Sequence, residues 1–205
     1  MKRILAALLA VLLLSIPTQA HDWSKVAFRL SQSTAMLVGQ DGETFCSGFS
    51  IDNKRDYMLT ASHCVHSYAA WGGIRVDGLG TVLVADRPEI DVAVLSVGGM
   101  NRPELKPRTD WIRVGMEIGS FGFAREAGLF SHFRAGNVAG IGSVKDLDGV
   151  WIITDQPTTG GMSGGPVVDT DGRVVTVNQR SDRTFSAIGR DIGTIYRETS
   201  EYWRK

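Results

Sequence analysis

Neither sign of charge is in surplus in this chain: 22 lysines and arginines stand against 22 aspartates and glutamates, and charged residues make up only 21% of it. A balance so near neutral leaves no basic stripe for phosphates or anionic lipid, so neither nucleic acid nor a stable membrane anchor is an expected partner. A bilayer-length apolar run is missing where one would begin. Ile4 to Ile16 is only thirteen residues, short of the roughly 18 to 20 that span a membrane. It follows Lys2 and Arg3 and ends at Pro17-Thr18-Gln19-Ala20, the pattern of a signal peptide over residues 1–20, cleaved after Ala20. The exported chain then carries a charge of about −2 and is expected in the periplasm or outside the cell.

Cysteine is limited to Cys46 and Cys64. In the oxidising compartment that export implies, a bridge between them would close a loop of about 18 residues and contribute about 3 kcal/mol in the chain-entropy model. Together with His63 and His66 the same cysteines offer zinc-ligand types, but neither a C-x-x-C nor an H-x-x-x-H pair is present, so no metal is expected. No cofactor is expected either. His21, at the new N-terminus, would meet a metal only by accident of cleavage.

Helical periodicity is nearly absent before residue 191. After an irregular entry segment, His21 to Thr34, apolar residues alternate in short runs: Ala35 to Gln40, Thr44 to Ile51, Tyr57 to Ala61, Ile74 to Val76, Thr81 to Ala85 and Val92 to Val97. Gly99 to Asp110, with Pro103 and Pro107, reads as a surface connector. A second set follows in Glu117 to Phe123, Phe133 to Ile141, Val150 to Thr154, Val167 to Asp169, Val174 to Asn178 and Phe185 to Ile188. Ile192, Ile195, Tyr196, Thr199, Tyr202 and Trp203 then share one helical face behind a capping Asp191, and this helix should pack on the second set. Strands without intervening helices exclude a parallel sheet. They predict an all-β protein of antiparallel barrels or a sandwich.

Gly160-Gly161-Met162-Ser163-Gly164-Gly165-Pro166 is the stretch around which chemistry gathers. Glycines let the backbone turn sharply and expose the Ser163 hydroxyl, and the N–H groups of Gly161 and Ser163 can converge on a developing oxyanion. The stretch also fits a Gly-x-Ser-x-Gly nucleophile elbow. In that fold the histidine follows the serine, whereas His21, His63, His66 and His132 all precede Ser163. The order histidine, acid, serine remains. Leu59-Thr60-Ala61-Ser62-His63-Cys64 ends an apolar strand with a histidine, and Asp91-Val92-Ala93-Val94-Leu95 opens another with an acid. A serine needs such a base, and the base needs an acceptor on its other nitrogen.

These three stretches resemble a chymotrypsin-fold, trypsin-like serine protease, and most of all the bacterial HtrA (Deg) protease domain. Thr60 to Cys64 is similar to Thr-Ala-Ala-His-Cys, with Ser62 replacing the second alanine; Asp91 to Leu95 is similar to Asp-Ile-Ala-Val-Leu; Ser163-Gly164-Gly165-Pro166 is shared. Thr154-Asp155 lies eight residues before the serine, as in the HtrA branch. The resemblance spans Ala35 to about Gly193. It implies two antiparallel six-stranded β-barrels, residues 21–110 with His63 and Asp91 and residues 111–205 with Ser163 and the C-terminal helix, with the active site between them.

It further implies a serine endopeptidase acting on peptides or unfolded proteins, with His63 as general base, Asp91 as its orienter, Ser163 as nucleophile and the Gly161 and Ser163 amides as oxyanion hole. Asp86, Asp155 and His66 are the rival acids and base. A catalytically silent peptide-binding homologue and an esterase are the alternative functions. The Cys46–Cys64 pair matches the family's bridge beside the catalytic histidine. Met162 replaces the aspartate that pairs with a new N-terminus in zymogens, so that activation is excluded. No PDZ domain is expected. For the acyl-side residue of the substrate, the resemblance places Pro157 at the pocket floor, Asn178 where glutamate-specific relatives carry histidine, and Arg180 at the mouth. Basic side chains are disfavoured, because a buried cation would lack a partner, and small aliphatic residues are expected.

Overall fold

The computed structural model describes residues 21–39, 44–66, 73–124, 130–181 and 187–204. The expected leader, Gln40 and the start of the expected strand at Phe185 lie outside them. Two seven-stranded antiparallel sheets, each curled into a half-barrel, make up the chain. The first contains β1 (Thr34–Gly39), β2 (Thr44–Asp52), β3 (Tyr57–Thr60), β4 (Ile74–Val76), β5 (Leu79–Gly80), β6 (Val82–Arg87) and β7 (Val92–Ser96), in the order β5-β4-β1-β2-β3-β7-β6. The second contains β8 (Glu117–Phe123), β9 (Ser131–Val144), β10 (Leu147–Thr154), β11 (Pro166–Val168), β12 (Val174–Val177), β13 (Arg180–Ser181) and β14 (Ala187–Arg190), in the order β12-β11-β8-β9-β10-β14-β13. The two orders repeat one pattern. Each sheet has one strand more than expected, because the two-residue strands β5 and β13 are too short to leave an alternation.

The entry segment is not irregular. Ser24–Ser33 is an α-helix, α1. The Asp22 carboxylate accepts from the Ser24 N–H at 3.0 Å, and Val26, Leu30 and Ser33 recur at helical spacing, with Leu30 and Ser33 buried. Ahead of the helix, the Trp23 ring packs on Phe133 of β9 at 5.5 Å. The connector is not confined to the surface either. Leu105 is fully buried, and its N–H donates to the Ser50 carbonyl at 2.9 Å.

Apolar packing fills each half, around Leu37, Met58 and Leu95 in the first and Ile118, Ile152 and Val167 in the second, and also joins them. Phe49, Ile51, Leu59 and Val92 from the first sheet share a core with Phe121, Val168, Val174 and Val177 from the second. The C-terminal helix α3 (Ile192–Thr199) is capped by Asp191, which accepts from Thr194 N–H at 2.9 Å. Between it and the N-terminal helix lies the short α2 (Ser62–His66). Helix α3 rests on β12 as expected, but its tail crosses to the first sheet: Trp203 meets Phe49 edge-on at 6.5 Å, and Arg204 N–H donates to the Ile51 carbonyl. Arg55 secures that crossing by donating to the Glu201 and Trp203 carbonyls, while its Nε holds the Asp52 carboxylate at 2.6 Å. Burial pushes the Asp52 carboxyl up, but the Arg55 guanidinium and the Lys54 and Arg55 N–H groups outweigh it and hold it below the usual carboxylate range.

Candidate active site

His63 lies in the first turn of α2, where the chain leaves β3, and Asp91 follows a 3-10 turn, Pro88–Ile90, that delivers it to the start of β7. Asp91 takes the left-handed conformation, φ 52°, which aspartate tolerates better than most residues. Its carboxylate is nearly buried and lies 3.0 Å from His63 Nδ1 through each oxygen, while Oδ1 also accepts the His63 backbone N–H at 2.9 Å. Ring and backbone are therefore fixed by one acid. Nε2 has no hydrogen-bond partner among the described residues, on a side chain that is 45% exposed.

The rival acids and base have other partners. Asp86 accepts the Ser62 hydroxyl at 2.5 Å, Asp155 accepts the Asn137 backbone N–H at 2.6 Å, and His66 Nδ1 turns back to the Ser62 carbonyl at 3.0 Å. Cys46 and Cys64 form a disulfide with Cα atoms 6.0 Å apart. With His63 they cluster as metal-ligand types within 4.8 Å, but sulfurs bonded to each other are no longer thiolates.

The serine loop is built from both halves of the molecule. Ser163 is partly buried, and its carbonyl accepts the Ser47 N–H at 2.7 Å and lies 3.8 Å from Cys64 Sγ, beside the histidine. The Ser47 hydroxyl donates to the Gly161 carbonyl at 2.8 Å and accepts the Phe123 N–H at 2.9 Å. Gly164, φ +82°, must be glycine, since a Cβ there would stand 2.2 Å from both the Ser47 carbonyl and the Thr60 hydroxyl. Met162, fully buried, donates its N–H to Thr159; Gly164 and Gly165 donate to Asn178 and Met162. Among the described residues, the N–H groups of Gly161 and Ser163 have no protein acceptor. The two amides assigned to an oxyanion are thus among the loop amides left free, while those of Met162, Gly164 and Gly165 are committed. No hydrogen bond joins Ser163 Oγ to His63 Nε2 among the described residues, a looseness common before substrate binds.

Sequence reasoning missed Gln179. Buried at 2% exposure, it donates through Nε2 to the Ile90 and Asp91 carbonyls at 2.7 Å each and accepts the Arg190 N–H through Oε1 at 2.6 Å. It ties the second sheet to the backbone that presents Asp91. Ser47 was missed as well. Of the tentative pocket residues, Asn178 and Arg180 line a cleft beside Ser163, while Pro157, expected at its floor, is exposed and is not among the lining residues. Thr158 and Thr159, which follow it, line the cleft instead.

Two curled antiparallel half-barrels, with a carboxylate-held histidine on one and a glycine-flanked serine on the other, define the architecture of the chymotrypsin-like peptidases. The chain belongs to the trypsin-like peptidase domain family, whose model matches residues 46–177. It is 30% identical over 163 residues to a probable periplasmic serine endoprotease, DegP-like, of Bartonella henselae, covering 74% of this chain and 30% of that protein. It is 25% identical over 197 residues to the pro-apoptotic serine protease NMA111 of Coccidioides immitis, covering 84% of this chain and 19% of that one. The chain thus spans less than a third of these relatives. Among solved structures, the Rv3671c protease of M. tuberculosis H37Rv superposes with a TM-score of 0.73 at 19% identity, covering 91% of this chain and 96% of that one. The HtrA-type protease AlgW with a bound tripeptide gives 0.74 at 23%, covering 88% and 62%. Both share the fold. Among the described residues no helix is long and apolar enough to cross a membrane.

Proposed function

We propose that the chain is an exported serine endopeptidase that cuts peptide bonds through an acyl-enzyme on Ser163. In this reading His63 Nε2 takes the Ser163 Oγ proton as Oγ attacks the scissile carbonyl carbon, and the carbonyl π pair moves onto oxygen. The free N–H groups of Gly161 and Ser163 stabilise that oxyanion. His63 returns the proton to the leaving amine as the C–N bond breaks, and a water repeats the sequence to release the acid. Asp91 keeps Nδ1 protonated and stabilises the imidazolium without itself taking the proton. Support comes above all from the His63–Asp91 pair, held by three contacts from one carboxylate. Peptides suit the cleft by analogy with AlgW, which was crystallised with a tripeptide and a decapeptide.

Export is part of the same proposal. The DegP-like relative is named as periplasmic, the disulfide fits an oxidising compartment, and the N-terminal residue of protein recovered from the periplasm should be His21. Labelling of purified protein with a fluorophosphonate tests the chemistry. A Ser163 adduct absent from Ser163→Ala is expected, with kcat on peptides falling up to about 10⁶-fold in that variant. An intact, folded protein that takes no label would leave the silent, peptide-holding homologue as the better reading. Relative rates on matched amide and ester substrates separate a peptidase from an esterase.

A further inference from the structure

The cleft beside Ser163 has a volume of about 130 Å³. That is roughly four waters' worth of space, enough for a side chain of about four or five non-hydrogen atoms. Its described lining is polar: Thr158, Thr159, Asn178, Arg180 and Ser181 surround the serine, and no acid and no apolar side chain is among the described lining residues. Asn178 is held in register with the serine loop, its N–H donating to the Gly165 carbonyl at 2.9 Å and its carbonyl accepting the Gly164 N–H at 2.7 Å. The side-chain amide therefore sits at a fixed offset from Ser163. Asn178 is only 2% exposed, yet among the described residues neither Nδ2 nor Oδ1 has a partner, and the buried Thr159 hydroxyl lacks one too. Buried polar groups are ordinarily paired, and three orphans on one small cleft call for a ligand that pairs them.

We infer that the cleft selects a carboxamide side chain, glutamine or asparagine, on the acyl side of the scissile bond. This rests on the peptidase reading above. A carboxamide presents an acceptor to Asn178 Nδ2 and a donor to Oδ1, with the Thr159 hydroxyl free to serve either. A carboxylate meets Nδ2 but sets a second anionic oxygen against Oδ1. Its natural counter-ion at the mouth, Arg180, has its guanidinium over the Trp151 ring at 6.0 Å. An ammonium finds no acid among the described lining residues. An aliphatic side chain, which the family resemblance favours, leaves all three atoms unpaired. A site built to hydrogen-bond its ligand discriminates strongly against shapes that cannot.

A set of otherwise identical peptides with Gln, Glu, Met, Asn, Asp, Leu or Val at the acyl-side position tests this. The ratio kcat/KM should favour Gln over Glu and Met, or Asn over Asp and Leu, by about tenfold or more. Asn178→Leu, nearly isosteric, should collapse that ratio, and Thr159→Val should narrow it, each rate being normalised to the fraction of protein that takes the fluorophosphonate. Preference for Glu or Asp, preference for Val or Leu, no cleavage of the set by unlabelled enzyme from a preparation that takes the label, or a ratio unchanged in Asn178→Leu would each overturn the inference while the peptidase reading stood. Failure of the wild-type protein to label at Ser163 would instead remove the peptidase reading, and the inference with it.

Discussion

Replacing Gln179 by methionine keeps the length and volume of the side chain and deletes its three hydrogen bonds. The Ile90 and Asp91 carbonyls and the Arg190 N–H would be left without their partner in a region the solvent does not reach. At about 1 kcal/mol or more for each orphaned group, the variant should lose about 3 kcal/mol of stability, and the urea midpoint should fall with the m-value unchanged. The kinetic effect should be separable from that loss. Asp91 reaches His63 by way of a backbone that Gln179 clamps from the opposite sheet, and displacement of a catalytic group by about 1 Å can cost about 10²-fold. The rate of fluorophosphonate labelling, measured at temperatures where the variant is fully folded, should drop about 10- to 100-fold, and kcat on a peptide should fall with KM little changed. Destabilisation with an unaltered labelling rate would refute the positioning role and leave Gln179 as a strut.

Removal of the Cys46–Cys64 bridge by a double alanine substitution should cost about 3 kcal/mol and lower Tm by roughly 10 °C, and protein alkylated without reductant should show no free thiol by intact mass. Gly164→Ala should fail to fold or lose well over about 2 kcal/mol, because a buried backbone carbonyl cannot move from the new methyl as a flexible side chain would; full stability by thermal melting would contradict this. Asp52 has a folded pKa below its unfolded one, so its contribution is present above about pH 4 and lost as pH falls through the folded value. Asp52→Asn should therefore cost about 1 kcal/mol near neutrality, a figure kept small because Arg55 is 44% exposed. The difference from wild type should shrink as pH falls below about 4 and vanish once it has passed through the folded value, in urea titrations.

The strands were legible because one face of each sheet is buried and period-2 alternation records that directly. Histidine, acid and serine could be ordered because each ends or begins an apolar run with its own local signature. Helix α1 was passed over although Trp23, Val26, Leu30 and Ser33 mark a stripe: Lys25 and Arg29 interrupt it, and Ser33 reads as polar while being fully buried. Gln179 and Ser47 carry no local signal at all. Their partners lie 88 and 114 residues away in sequence, and a polar residue that satisfies distant backbone looks, in one dimension, like any solvated one. Pro157 was misplaced for a related reason. Counting back from a serine assumes a wall of fixed length, and the direction in which a loop leaves that wall is set by contacts rather than by count.

The Ser47 hydroxyl, lent by the first half of the chain, closes the turn that presents Ser163 in the second. In the proposed enzyme neither half alone owns a finished cutting edge, so a polypeptide that emerges N-terminus first should stay disarmed until the later strands dock against the earlier ones. Separately expressed residues 111–205 should accordingly take no fluorophosphonate, and should acquire that reactivity only when residues 21–110 are added back.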